Sequence, residues 1–468
     1  MDLECLTSTE NQTEFSTILI PSFPLFSIIL KIVIPSLIFL LFWHYYQCHF
    51  TSVAKKINRF PGVPYIPFIG SFAAVRTLLD GRYELWKTKR KYLNPGLSKV
   101  MNADFLQVFH HQLKYLMAVL EEKCVTGEEF HIDGMFGKFT TGAGFTTILD
   151  WPVPINIFDK KSLPGFYEAF QTAAHLAGHP VVNLWFSFRP LWHLAGYEKK
   201  MRLAFATMRK YLNQEVQPYF YLMEELPPIK ICLDLSEISV IQERMKCMNI
   251  LYTKCTDPDE IFHQILNILA AAVDSTDFVL CEAFIFLAQN PDIQKKAYEE
   301  ARRVIGDNYD VVMRSEDVSR LTYIAMVLKE TMRIIPPVPA LVRKVMEEMD
   351  VGNGLVIPKN TNVFIPLLTV HHDPKVYPKP GEFIPERFLP ENVLNRHRYS
   401  YLPFSAGERI CIGEKYVMPQ MKFVVAKILY KYEILTKMKK PLEKTEVQYM
   451  PFSKYKDGLS IQLKRRLA

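Results

Sequence analysis

A long apolar stretch near the start of the chain predicts a membrane anchor. It runs from Pro24 to Tyr46, and Lys31 is its one charged residue. Its 23 residues exceed the ~20 that a helix needs to cross a bilayer. Acidic residues precede the stretch and basic residues follow it, namely Asp2, Glu4, Glu10 and Glu14 against Lys55, Lys56 and Arg59. The positive-inside rule therefore predicts a lumenal segment 1–23, a transmembrane helix 24–46 and a cytosolic remainder.

The segment after this stretch is punctuated by prolines. It reads Phe60-Pro61-Gly62-Val63-Pro64-Tyr65-Ile66-Pro67, and each residue before a proline is biased away from helix. We expect 47–70 to form a linker and a proline-rich hinge that lead to a main domain, 71–468. A cleaved signal peptide is the alternative for the apolar stretch, but no basic n-region or A-x-A-like site is evident. Asn11 begins a glycosylation sequon on the predicted lumenal side.

A second apolar stretch predicts a long buried helix. Asp257-Pro258 gives a capping residue followed by proline at the first helical position, and Asn290-Pro291 is a stop signal. The roughly 32 residues between them leave little polar face. Asp274-Ser275-Thr276 falls inside this stretch, and a buried carboxylate is costly unless it is paired or functional. These residues are therefore candidate catalytic residues, and a polar packing contact is the alternative.

Composition and the absence of certain motifs exclude several classes of function. The net charge is +7 without a basic block that would suggest nucleic acid, and it suits an anionic membrane surface or an acidic protein partner. No hydrolase elbow, zinc-protease motif or phosphate-binding glycine loop occurs. The eight cysteines form no C-x-x-C pair, which argues against a disulfide framework and a zinc site.

One cysteine lies in the most informative pattern of the chain. Residues 404–413 read F-S-A-G-E-R-I-C-I-G, so Cys411 has Gly407 four residues before it and Gly413 two residues after it. A thiolate that binds iron needs close backbone approach, which glycine permits, and nearby N–H donors and a cation. A buried core thiol is the alternative. The stretch matches the F-x-x-G-x-R-x-C-x-G pattern of haem-thiolate proteins, and here the chain resembles the cytochrome P450 superfamily.

This resemblance implies a fold that is mainly α-helical with small β-sheets and an N-terminal transmembrane helix. It implies haem b as the cofactor, with Cys411 as the iron ligand and Phe404, Gly407 and Arg409 beside it. Electrons would come from NADPH through NADPH-cytochrome P450 reductase, because the chain has no nicotinamide or flavin fingerprint of its own. The microsomal members of the superfamily lie in the endoplasmic reticulum membrane, with the catalytic domain in the cytosol.

The predicted buried helix resembles the oxygen-activation motif of the superfamily. In that motif an acid and an adjacent hydroxyl relay protons during oxygen activation, which implies this role for Asp274 and Ser275, followed by Thr276. Two positions depart from the motif, since Ala272 replaces the usual glycine and Ser275 the usual threonine. Ala271 stands where many fatty-acid-hydroxylating members carry a glutamate that can esterify the haem, so we expect no covalent haem link.

A further helix is predicted from Ser319, as its N-cap, to Ile335. Glu330 and Arg333 lie three residues apart on it and can form an ion pair. This pair resembles the E-x-x-R motif of the superfamily, and Pro385-Glu386-Arg387-Phe388 follows in the expected order. The resemblance implies that Glu330, Arg333 and Arg387 form a buried network with a structural role before the thiolate.

Several residues are candidate partners of the haem propionates. Trp86 and Arg90 match the W-x-x-x-R helix of the superfamily, although a surface amphipathic helix is the alternative. Arg343 lies where a strand follows the E-x-x-R helix, and Arg409 supplies a third cation. Arginine suits carboxylates because its planar fork can bind them bidentately.

The chain departs from the superfamily between Gly70 and Trp86. Only 16 positions separate these landmarks, where the family fits part of a β-sheet, a short helix and a substrate-contacting loop. Residues 399–407 and 337–339 look most like the fatty-acid ω-hydroxylase branch. We therefore expect a monooxygenase for a small lipophilic, fatty-acid-like substrate, with steroids or foreign compounds as the second choice. A haem-thiolate isomerase, and a haem-binding protein made nearly inactive by the shortened segment, are the alternatives.

Overall fold

The computed structural model describes residues 34–36, 38–40, 42, 87–88, 90–91, 94, 104–147, 156–159, 165–182, 189–224, 258–438, 447–450, 452–455 and 458–466. Contacts along the chain divide it into two compact units, Met1–Ser71 with Val345–Thr361, and Phe72–Lys344 with Asn362–Ala468. The domain bounds inferred from the sequence stay predictions.

Helices make up most of the described residues of the second unit. In chain order they are α1 Asp104–Thr126, α2 Met135–Thr147, α3 Phe166–Val182, α4 Arg189–Leu194, α5 Tyr197–Glu224, α6 Pro258–Gln289, α7 Pro291–Ile305, α8 Ser315–Ser319, α9 Thr322–Ile334, α10 Leu367–His371, α11 Pro390–Val393 and α12 Glu414–Lys431. The strands are short, namely β1 Phe130–His131, β2 Ala340–Lys344, β3 Met349–Asp350, β4 Val356–Ile357, β5 Asn362–Pro366, β6 Tyr432–Leu435, β7 Val447–Met450, β8 Phe452–Tyr455 and β9 Ser460–Arg465. The prediction of a mainly helical protein with small sheets is confirmed.

The long helix α6 forms the centre of the second unit. It begins at Pro258 and ends at Gln289, so the prediction from the capping signals is confirmed. From Val273 to Leu287 nearly every side chain is buried, and the helix packs against α2, α9 and α12. Because this part of α6 is almost wholly buried, a polar residue within it is costly unless it has a partner inside the protein.

Within the described residues, the strands form one three-stranded sheet and three antiparallel pairs. A three-stranded sheet has the order β1-β9-β6, and β6 follows α12 directly. A separate antiparallel pair joins β2 to β5, with Arg343 opposite Val363. The pair β7 and β8 is also antiparallel. In the first unit, β3 and β4 form an antiparallel pair in which Met349 lies opposite Ile357.

The predicted transmembrane segment 24–46 lies mostly outside the described residues. Seven of its residues, 34–36, 38–40 and 42, are described, and they are helical and exposed. Among the described residues, no helix combines the length and the apolar character that crossing a bilayer requires. The prolines of the predicted hinge and the shortened segment after Gly70 also lie outside the described residues.

The prediction that Ser319 caps the E-x-x-R helix is wrong. Ser319 is the last residue of α8, and its hydroxyl donates to Glu316 O at 2.6 Å. Helix α9 begins only at Thr322, and its N-terminal N–H groups are bound by the carboxylate of Glu300. This acceptor comes from α7, so a local pattern around Ser319 could not reveal it.

Candidate active site

The segment around Cys411 is a tight turn that leads into α12. The backbone N–H of Cys411 donates to Phe404 O at 2.8 Å, and the 3-10 turn Gly407–Arg409 lies between them. Gly407 adopts φ +73°, a left-handed conformation that glycine enters at no steric cost. Ser405 adopts φ +66° in the same turn, and this conformation is strained for a residue with a side chain.

The Cys411 thiol is exposed at this turn. The protein around it still desolvates the sulfur and raises its pKa, while hydrogen bonds from the backbone N–H groups of Gly413 and Glu414 act in the opposite direction. Both N–H groups belong to the start of α12, where the helix dipole favours negative charge. The turn therefore presents an accessible sulfur with donors in place for its thiolate form.

Arg343 connects a strand to this turn. It lies on β2, and its Nη2 donates to Ser405 Oγ at 2.7 Å. The hydroxyl of Ser405 thus accepts a hydrogen bond from a cation. Burial lowers the pKa of Arg343 below its usual value, yet a guanidinium stays charged at neutral pH.

Arg90 lies close enough to Cys411 for their charges to interact. Burial lowers the pKa of its guanidinium, and the negative charge of Cys411 acts in the opposite direction. The Nε of Arg90 is buried and has no hydrogen-bond partner among the described residues. Arg409 is exposed at the end of the 3-10 turn, and Trp86 lies outside the described residues.

Glu330, Arg333 and Arg387 lie together in a buried network. Arg333 donates from Nε and Nη2 to the Glu330 carboxylate at 2.7 and 2.8 Å, and neither side chain is exposed. Arg387 Nε also donates to Glu330, at 3.3 Å. Two cations therefore share one buried carboxylate, whose negative charge is fully compensated.

The same network holds the backbone of the segment before Cys411. Arg333 donates to three carbonyl oxygens, those of His371, Pro380 and Glu382, at 3.1, 2.8 and 3.2 Å. Glu330 accepts from the N–H of Ile384 at 3.0 Å. Since each of these groups is a backbone group, the network fixes the course of the chain between α10 and the Pro385–Phe388 turn.

The candidate acid and hydroxyl lie on α6, as expected. Asp274 is buried, and its Oδ1 accepts a hydrogen bond of 2.7 Å from Gln171 Nε2 on α3. The Ser275 hydroxyl donates to Ala271 O at 2.7 Å, one turn back along the helix. Thr276 is buried, and its Oγ1 has no hydrogen-bond partner among the described residues.

The structure adds polar residues that the sequence did not single out. Asp277, one turn after Asp274, accepts the N–H groups of Gly134 and Gly137 at 3.0 and 2.7 Å and so binds the N-terminus of α2. Tyr167 packs against Gly137, where a Cβ atom would collide with its hydroxyl. The two hydrogen bonds of Asp277 join residues 143 and 140 positions apart in sequence, and no local pattern predicts them.

Comparison with known proteins identifies the family. The cytochrome P450 family model matches residues 66–458, which is most of the chain. The chain belongs to the cytochrome P450 family. This P450 is therefore an oxidoreductase of the haem-thiolate monooxygenase type, and its family implies a haem cofactor, a redox partner and lipophilic substrates.

Relatives of this P450 occur in insects and humans. Probable cytochrome P450 313a1 of Drosophila melanogaster is 30% identical over 75% of this chain and 69% of its own length. Probable cytochrome P450 4ac1 of the same species is 27% identical over 79% and 70%, and cytochrome P450 4V2 of Homo sapiens is 28% identical over 84% and 74%. The crystal structure of a cytochrome P450, CYP102L1, has the same fold, with a TM-score of 0.65, 23% identity and 82% of each chain covered.

Proposed function

We propose that this P450 inserts one oxygen atom from dioxygen into a fatty-acid-like lipophilic substrate, with haem b as cofactor and electrons from NADPH through NADPH-cytochrome P450 reductase. The observation that carries the proposal is the Cys411 turn, in which an accessible sulfur receives backbone N–H groups and lies near Arg90. Steroid and foreign-compound hydroxylation is the second choice of substrate class.

The described residues suit a haem. Cys411 offers the sulfur ligand, and the start of α12 offers donors for its charge. Arg90 has a buried Nε without a hydrogen-bond partner in the described part of the chain, and Arg343 is half-buried at the edge of the turn, so both suit the haem propionates together with Arg409. A thiolate-bound haem supplies oxygen activation, because the thiolate pushes electron density towards the iron and favours O–O cleavage.

Asp274 and Ser275 have the chemistry of a proton relay. A carboxylate accepts and releases a proton, and Gln171 holds the Asp274 carboxylate in one orientation through its amide donor. The Ser275 hydroxyl gives its hydrogen to Ala271 O and keeps lone pairs with which to accept another proton. Thr276 adds a second hydroxyl on the same helix, with no partner of its own among the described residues.

Family names and the N-terminal pattern support the finer parts of the proposal. Relatives of this chain carry family-4 names, as does the human protein 4V2. The apolar stretch 24–46 and the charges that flank it support a single anchor in the endoplasmic reticulum membrane, with residues 71–468 in the cytosol as the haem-binding domain.

Reconstitution with the reductase tests the proposal. Product formed from a panel of fatty acids and steroids is compared with NADPH consumed, for the wild type and for Ser275→Ala. We expect the variant to form about tenfold less product per NADPH and to release more hydrogen peroxide, because general acid–base groups contribute at least 10²-fold to such steps and water can replace part of the relay. Thr207→Ala, which removes an exposed hydroxyl with the same hydrogen bond to the preceding helical turn, should leave coupling unchanged.

Two results would contradict this function. Equal coupling in Ser275→Ala and the wild type would remove Ser275 from the relay. Rearrangement of lipid hydroperoxides without a reductase, and no product from NADPH-dependent turnover, would favour an isomerase instead.

A further inference from the structure

A cavity of about 290 Å³ lies between α1, the loop after α7 and α12. Its lining includes no residue of the Cys411 turn and none of the candidate relay. One wall is apolar and comes from α1, where Leu113, Met117 and Ala118 lie on adjacent turns. Lysines from two helices, Lys114 on α1 and Lys427 and Lys431 on α12, also line it.

Lys427 is a buried cation with an incomplete set of partners. Its Nζ donates to the carbonyl oxygens of Tyr309 and Val311, the latter at 3.1 Å, and the side chain is fully buried. An ammonium has three N–H donors, so one of them has no oxygen or nitrogen acceptor within the described part of the chain, although the ammonium lies 4.5 Å from the centroid of the Tyr309 ring. Burial lowers the pKa of Lys427 to about 8, so the group is still largely charged at neutral pH. A buried charge of this kind is costly without a counter-charge.

The acids that line the cavity compensate the charge of Lys427 only in part. Glu121 also lines the cavity, but Arg465 forms an ion pair with it and the Tyr432 hydroxyl donates to it at 2.6 Å. Asp310 forms no ion pair with Lys427 within the described part of the chain, although its charge raises the pKa of that lysine. Three lysines thus face one acid that is not already paired, and the potential in the cavity is positive.

Two more polar groups of the lining have buried atoms without partners. They are His110 Nδ1 and the Tyr309 hydroxyl, for which the described residues offer no hydrogen bond. A buried donor or acceptor that stays unsatisfied is unfavourable. Burial lowers the pKa of His110, and the charges of Lys427 and Lys114 lower it further, which is the expected effect of a positive potential.

We propose that this cavity binds a small organic anion whose carboxylate or phosphate group contacts Lys114 and Lys431, with the buried charge of Lys427 behind them, and whose apolar part packs against Leu113 and Met117. Its volume is near the lower end of small-molecule sites, about 300–1,000 Å³, so a compact ligand fits and a long-chain lipid does not. This site is separate from the proposed function and does not depend on it.

Calorimetric titration of the full-length holoprotein in detergent tests the site. The probes are benzoate, phenyl phosphate and inorganic phosphate, with benzyl alcohol as the uncharged control. We expect benzoate or phenyl phosphate to bind more tightly than inorganic phosphate, and benzyl alcohol to bind at least tenfold more weakly than either. The better of benzoate and phenyl phosphate identifies the head group. Lys114→Gln and Lys431→Gln should each weaken binding about tenfold, as expected for the loss of a charge-assisted contact.

Two further variants distinguish binding in this cavity from binding at other places on the protein. Ala118→Phe adds a ring at an exposed position of the lining, so it should block the cavity without disturbing the core. Lys123→Gln removes a lysine of α1 that does not line the cavity and should bind as the wild type does. Absence of binding by every probe would overturn the proposal, because the cavity would then hold water only. Unchanged binding in Lys114→Gln, Lys431→Gln and Ala118→Phe would also overturn it.

Discussion

At the scale of single residues, Arg333 does the most to fix the chain before Cys411. Its guanidinium donates to Glu330 and to three backbone carbonyls, and it is fully buried. A lysine could not replace it, because an ammonium lacks the planar fork that reaches several acceptors at once. The role inferred for the E-x-x-R pair is therefore structural, and it acts on the backbone rather than on substrate.

Arg333→Gln should lower the free energy of unfolding by about 3–5 kcal/mol, since it leaves the buried Glu330 carboxylate short of a partner. It should also reduce the fraction of protein that retains haem. Chemical denaturation and haem absorbance measure the two effects. Arg303→Gln, at an exposed position of α7, should change neither quantity, and a variant of Arg333 as stable as that control would contradict the structural role.

His371 makes the same region sensitive to acid. It is fully buried, its Nε2 accepts the N–H of Leu402 at 2.9 Å, and burial together with the charge of Arg333 lowers its pKa from 6.5 to about 4. The unfolded chain therefore binds more protons than the folded one between these values, and stability falls as the pH drops through this window. The neutral form is needed because protonation would remove the acceptor for Leu402.

The free energy of unfolding should fall by about 1.4 kcal/mol at pH 5.5 and by about 3 kcal/mol near pH 4 through His371 alone. Urea titrations at pH 7.5, 6.5 and 5.5 measure it. His371→Gln should lose this part of the pH dependence, whereas His193→Gln, at an exposed site, should keep it. Parallel pH profiles for the wild type and His371→Gln would contradict the assignment.

At the scale of elements, a carboxylate on one helix caps the N-terminus of another. The two oxygens of Glu300 on α7 accept the N–H groups of Thr322, Tyr323 and Ile324 at 2.8, 2.7 and 2.9 Å. The first N–H groups of a helix have no partner within the helix, and a negative charge there is favoured by the helix dipole. Helix α9, which carries Glu330 and Arg333, is thus positioned by a residue 22 places before its start.

Glu300→Ala should therefore destabilise the protein by about 1–3 kcal/mol, because three buried or half-buried N–H groups lose their acceptor. The midpoint of a denaturant titration measures the effect. Glu299→Ala, the exposed neighbour on α7, is the matched control and should be nearly neutral. Equal midpoints for the two variants would show that Glu300 does not support α9.

The start of α9 also shows where sequence patterns succeed and fail. The bounds of α6 followed from local signals, because Asp257-Pro258 and Asn290-Pro291 lie within the chain they punctuate. The cap of α9 could not be predicted from local signals, because Glu300 reaches it from another helix. The same holds for Gln171 on Asp274 and for Asp277 on α2, since these contacts span 103 and 140 residues. The Cys411 turn could be predicted from the sequence because all the residues of its pattern lie within ten positions.

At the scale of the whole molecule, the residues proposed to hold the haem come from distant segments. Cys411 precedes α12, Arg343 lies on β2, and Arg90 lies in a helical segment near residue 90. The family match extends over residues 66–458, which includes all three. A cofactor that contacts all three residues would link segments more than 300 residues apart. Its loss should therefore lower the stability of the whole fold.

The central claim is that Cys411 holds a haem through its thiolate. The most direct measurement is the absorption spectrum of the reduced, purified protein under carbon monoxide, for the wild type, Cys411→Ala and Cys124→Ala. We predict the red-shifted Soret band of a thiolate complex in the wild type and in Cys124→Ala, where the half-buried thiol removed lies on α1. We predict that Cys411→Ala lacks this band. A Cys411→Ala protein that keeps the band, or a wild type that never shows it, would contradict the account.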